Sequence, residues 1–141
     1  MPEPRIFTVD EAERTLPLVG RIVLDLQKEY PRWREAVGRF ELVAAELRAE
    51  SGETLELIAA QSEVVELAAR IHDCLTELDQ VGCIFKGFEA GLVDFYALRE
   101  DQLVCLCWRL GEAHVTHWHE VDAGFAGRQP LDEPMLTGTV P

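Results

Sequence analysis

Lysine is nearly missing from this chain. Lys28 and Lys86 are the only two among thirteen basic residues, which face twenty-six acidic ones, for a formal net charge of −13. A surface of that sign repels phosphate backbones and anionic lipid, so neither nucleic acid nor a membrane is an expected partner. The opening MPEPRIFTVDEAERTLPLVG has no basic leader running into an apolar stretch, and no apolar run reaches membrane-spanning length. Nothing marks export, and a cytoplasmic location is the expectation. The four cysteines do not form a secreted-domain framework: Cys105 and Cys107 lie two apart in a strand-like run, and Cys74 falls in a helical pattern. Also lacking are a Ser-His-Asp motif, a phosphate-binding glycine loop and an HExxH helix. No catalytic residue can therefore be named, and whether the chain is an enzyme is left open.

What is present fits one soluble domain: 141 residues, 48% hydrophobic and 28% charged, long enough for a real core. Thr8-Val9-Asp10-Glu11 is a capping box that starts a helix with acids at its positive end. Pro17 disfavours continuous helix, so a short helix to about Thr15 and a new one opening with Leu16 and Pro17 are expected, joined by a kink or turn. From there Leu16, Val19, Val23, Leu26, Tyr30, Trp33, Val37, Phe40, Ala44 and Leu47 form an unbroken seam with alternating spacings of three and four. It passes through Pro31, where a bend is expected. Gly52 marks a turn or C-cap. A second stripe follows: Leu57, Ala60, Val64, Leu67, Ile71, Leu75, Leu78 and Val81. Two long amphipathic helices with a short connection are antiparallel neighbours, so residues from about 8 to 81 form a coiled-coil-like helical hairpin.

After Gly82 the period changes to two. Cys83–Lys86, Leu92–Leu98, Leu103–Leu110 and Ala113–His119 are strand candidates, and a small antiparallel sheet with a glycine-rich loop is expected over about 82–130. Residues 131–141 read as a loose tail. The fold class is α+β. Here the unusual side chains gather: Leu103–Arg128 holds three of the four His, two of the four Cys and two of the three Trp. A hairpin turn at Glu100-Asp101 sets Ala97 opposite Val104, Phe95 opposite Leu106 and Val93 opposite Trp108. A two-residue turn at Gly111-Glu112 would pair Trp108 with Val115, Leu106 with His117 and Val104 with His119. That register sends His117 and His119 to the apolar face toward the helices, away from Cys105 and Cys107. A three-residue turn would reverse this, bringing Cys105 and Cys107 across from His119 and His117.

Two candidate sites follow. His117 and His119, about 6.5 to 7 Å apart along one strand face, could share a divalent transition metal; otherwise no cofactor, or an unknown one, is expected. Its third ligand would come from Asp122, Glu120 or His72. Against this stands the ordinary reading of one hydrogen-bonded rim histidine and one surface histidine. On the other face Tyr96, Arg109, His114 and Arg128, with an Asp94–Arg109 charge pair beside them, could form a cleft for a small anion, although such a cross-strand pair is usually structural. Cys105 and Cys107 read as small buried hydrophobes before they read as a redox pair.

Gly91-Leu92-Val93-Asp94-Phe95, Leu106-Cys107-Trp108-Arg109-Leu110-Gly111-Glu112, Trp118-His119-Glu120 and Gly124-Phe125-Ala126-Gly127-Arg128, together with the Phe7-Thr8 helix start, resemble the bacterial domain-of-unknown-function family 2203 over nearly the whole chain. The chain departs from the family pattern at Ala113, where proline often follows Gly-Glu, and around Gly87-Phe88. The resemblance carries no established activity and so transfers no catalytic residue. The leading functional expectation is a non-enzymatic interaction or assembly module, forming a homodimer through the helices or the sheet. The alternative is a metal-binding module or metalloenzyme using His117 and His119.

Overall fold

A computed structural model describes residues 5–47, 54–132 and Met135. The chain is an α+β fold of two long helices packed on each other, α1 (Val9–Leu47) and α2 (Leu55–Val81), followed by a five-stranded antiparallel sheet. Its strands, β1 (Ile84–Gly87), β2 (Leu92–Arg99), β3 (Gln102–Arg109), β4 (His117–Glu120) and β5 (Gln129–Pro130), lie side by side in chain order. Among the described residues no helix is long and apolar enough to cross a membrane.

The capping box forms as the sequence requires. The Glu11 amide donates to Thr8 Oγ1 at 3.1 Å, and the Glu11 carboxylate accepts from the Thr8 amide at 2.9 Å. The expected break after Thr15 does not occur: α1 runs unbroken through both Pro17 and Pro31, 39 residues or about 58 Å at 1.5 Å per residue. Pro17 forfeits one backbone bond, but it is exposed, and Ala12 and Val19 on either side of it are fully buried. Packing over those turns outweighs a single missing donor. In α2 each stripe residue from Leu57 to Val81 is at least half-buried, and the helix closes on Gly82, whose amide reaches the Leu78 and Asp79 carbonyls. Gly82 has φ of 98°, a left-handed conformation suited to a C-cap glycine. The expected turn at Gly52 lies outside the described residues.

One face of the sheet packs on the helices. Val93, Phe95, Ala97, Val104, Leu106, Trp108 and Trp118 meet Val19, Ile22, Val23, Leu26 and Leu78 in one core, with Phe7 edge-on to Phe95 at 5.1 Å. The β2–β3 pairing is the expected one, and its turn residues Glu100 (φ 50°) and Asp101 (φ 65°) both take the left-handed backbone of a tight hairpin turn. The segment after β5 is not loose where it is described. Leu131 donates its amide to the Thr116 carbonyl, Asp132 pairs with Arg99, and Met135 is buried in the core.

The β3–β4 pairing departs from the two-residue turn. Cys105 lies opposite His119, Leu106 opposite Trp118 and Cys107 opposite His117. The ladder ends at Cys107 and His117, and residues 110–116 form a longer connection held from the helix side. The Glu13 carboxylate on α1 accepts from the Val115 amide at 2.7 Å and lies 3.2 Å from His114 Nδ1, while the Trp108 indole donates to the Glu112 carbonyl at 3.0 Å. These anchors set β4 one residue along from the two-residue register, and a one-residue slip exchanges the two faces of a strand. Trp118 therefore enters the core, and His117 and His119 turn away from it.

Replacing Thr8 with Ala removes the cap and should lower stability by about 1 kcal/mol in urea unfolding. The Glu11 carboxyl is held below its ordinary value of 4.5, chiefly by the Thr8 amide. A depressed carboxyl stabilises the fold above its unfolded value and loses that contribution as pH falls. The stability gap between wild type and Glu11→Gln should thus be constant above pH 4.5 and shrink below it.

Candidate metal centre

The face turned away from the helices carries polar groups that are fully buried. Asp94 on β2, Cys107 on β3 and His119 on β4 are each no more than 2% exposed. Cross-strand pairing puts them together: Asp94 lies opposite Cys107, and His119 stands opposite Cys105 on the next strand. Their ligating atoms, a carboxylate oxygen, Sγ and an imidazole nitrogen, all fall within 4.8 Å of one another. His119 Nε2 is 3.2 Å from Asp94 Oδ1, and His119 Nδ1 is 2.7 Å from the Glu120 carbonyl. A carbonyl only accepts, so Nδ1 carries a proton and donates it. A neutral imidazole then presents its Nε2 lone pair to a carboxylate oxygen, two acceptors face to face. A proton held between the ring and the carboxyl group, on either partner, or a cation between the two resolves that contact.

Burial and the neighbouring Asp94 charge push the Cys105 thiol up to about 11 and the Cys107 thiol up to about 12. A thiol in that range is a poor nucleophile at neutral pH, which argues against a Cys-His hydrolase arrangement here. Lys86 reaches in from β1, where a bulge interrupts the pairing between Phe85 and Gly87, and its Nζ stands 3.9 Å from Asp94 Oδ2. A pocket of about 240 Å³ opens over the cluster, floored by Asp94, Cys107 and His119 and walled by Leu92, Val121, Gly124 and Phe125. A larger hollow of about 330 Å³ lies between α1 and the β1–β2 turn. There the Gln27 amide is already engaged by the Phe88 and Glu89 carbonyls, and no set of ligating side chains converges among the described residues.

Of the metal ligands expected from the sequence, only His119 belongs to the cluster. His117 shares its strand face but is half-buried, with Nδ1 2.8 Å from Thr116 Oγ1, and Asp122 is exposed in the turn after β4. The expected anion cleft does not assemble. Arg128 is committed to Glu112 and to the Cys107 carbonyl and stacks on Phe125; His114 pairs with Glu13; Arg109 is exposed and Tyr96 half-buried. The expected Asp94–Arg109 pair is replaced, because Arg109 lies opposite Leu92 and Asp94 meets His119 and Lys86 instead. The two cysteines stand across from His119 and His117, as the three-residue-turn alternative has them. The cluster member that sequence reasoning passes over is Asp94, read there only as a charge partner of Arg109.

A family profile described as an uncharacterized conserved protein, DUF2203, matches residues 5–131, and the chain belongs to that family. No curated protein and no solved structure matches the chain.

All four thiols are free, and Cys74 is the least buried of them. Burial also pushes Cys83 up to about 12. A disulfide exchange reagent at neutral pH should therefore titrate Cys74 slowly in the native protein and reach Cys83, Cys105 and Cys107 only on unfolding, a sequence that peptide mapping of labelled thiols can follow.

Proposed function

We propose that this protein binds one divalent transition metal, zinc in the first place, through Asp94, Cys107 and His119. The observation that carries this reading is the convergence of three different ligand types, all buried, at the floor of a pocket. Carboxylate, thiolate and imidazole together suit zinc and its neighbours better than calcium or magnesium. A divalent cation would be neutralised by one thiolate and one carboxylate, and it would remove the confrontation of lone pairs between His119 and Asp94. The Nδ1–H bond to the Glu120 carbonyl is the outer-shell contact that orients a ligating imidazole. Three protein ligands beside a pocket leave a coordination position for an exchangeable molecule, whereas purely structural zinc sites close with four. Of the ligands expected from the sequence this reading keeps His119, and it replaces His117 and Asp122 with Cys107 and Asp94.

Protein purified without a histidine tag should carry about one zinc per chain by elemental analysis. Cobalt substitution should show a thiolate-to-cobalt charge-transfer band that Cys107→Ser abolishes. His119→Ala and Asp94→Asn should lose stoichiometric binding, while His117→Ala keeps it. Absence of metal, with no shift in melting temperature on adding zinc or cobalt, overturns the reading.

A second reading, self-association through the helical hairpin, is favoured by a separate observation. Beyond Ala36 in α1 and before Leu67 in α2 no described residue is buried, while Leu42, Val65 and Leu55 are 65%, 61% and 86% exposed. Two hairpins packed side by side would cover that region. Light scattering at micromolar concentration should give the mass of a dimer, reduced to a monomer by Leu42→Glu with Val65→Glu; a wild-type monomer excludes it. The four free thiols and the acidic surface agree with a reducing, cytoplasmic setting.

A further inference from the structure

Resting on the metal site proposed above, we infer that the pocket takes a short-chain carboxylate. Its carboxyl group fills the open metal position and pairs with Lys86, and its alkyl end lies against Leu92, Val121 and Phe125. Charge, size and wall chemistry each point the same way. With the Cys107 thiolate and the Asp94 carboxylate cancelling a divalent cation, the Lys86 ammonium leaves the loaded pocket with one net positive charge, in a protein whose overall charge is strongly negative. That local reversal selects an anion. Lys86 Nζ is 3.9 Å from Asp94, outside hydrogen-bonding reach, and the side chain is 48% exposed, so its donors are available to a ligand. Arg128, the other cation near Cys107, is already paired with Glu112.

The volume of about 240 Å³ is below the range of roughly 300 to 1,000 Å³ for drug-sized ligands and equals on the order of eight water volumes. It matches an acid of a few carbons better than a nucleotide or a peptide. Three apolar side chains in the wall disfavour an oxyanion that is polar all round, such as phosphate, because its outer oxygens would be desolvated without partners. A carboxylate with a short alkyl tail matches both ends of the cavity.

The test uses the cobalt-loaded full chain, with propionate as the probe and formate, inorganic phosphate and the neutral propionamide as comparisons. Propionate should shift the visible cobalt bands saturably and bind more tightly than the other three. Lys86→Met, and Lys86→Gln as a second variant, should weaken propionate roughly ten-fold or more without altering the thiolate-to-cobalt band. An intact thiolate band that propionate does not perturb overturns this inference and leaves the metal reading standing. No thiolate band in the wild type overturns both. Propionate affinity unchanged in both Lys86 variants removes the lysine from the site. Phosphate or formate binding as tightly as propionate removes the apolar wall from recognition, and either result defeats the assignment.

Discussion

The polar face of this protein depends on how β4 lies against β3. With Cys105 opposite His119, the histidine stands on the same side of the sheet as Asp94 and Cys107, and Trp118 fills the core. Shifted by one residue, the strand would press an imidazole into the helices and expose a tryptophan to the loop side. Trp118 is thus the hydrophobic counterweight of the site: burying its large ring under the helices forces the two histidines to the opposite face. The Glu13 carboxylate, reaching from α1 to the Val115 amide, ties that register to the helical half of the molecule.

The two faces of the sheet are buried by different means. One is covered by long helices and contributes the apolar core. The other is covered by Lys86 and the loop after β4, and it conceals a carboxylate, a thiol and an imidazole, groups that are seldom buried without a partner. His119 stands between Asp94 and the Glu120 carbonyl, and Lys86 stands near the remaining Asp94 oxygen. Such an arrangement is costly for a fold to retain unless it holds something, and this is the physical ground for reading it as a ligand set.

The helical hairpin has the reverse character. Its half nearest the sheet is a conventional core, whereas in its far half Leu42, Leu55 and Val65 are exposed and, among the described residues, none is buried. The pocket and the exposed apolar stretch of the hairpin lie at separate places, so the two proposed roles would use different surfaces of the protein.

Period and local chemistry make most of the architecture legible in the sequence. The Thr8–Glu11 box, the seam from Leu16 to Leu47, the stripe from Leu57 to Val81, the change of period after Gly82 and the Glu100-Asp101 hairpin are all local or strictly periodic, and each forms in the folded chain. The continuity of α1 through Pro17 is not legible there, because a proline's local penalty is outweighed by burial of Ala12 and Val19 against elements far away in the chain. Nor is the anchoring of Leu131, Asp132 and Met135, which depends on contacts with Thr116, Arg99 and the core. For the site, the sequence narrows the answer to two registers that differ by one residue, each with its own chemistry. Only the tertiary structure decides between them, since the choice rests on where Trp118 is buried and on a carboxylate that lies 102 positions from the amide it holds.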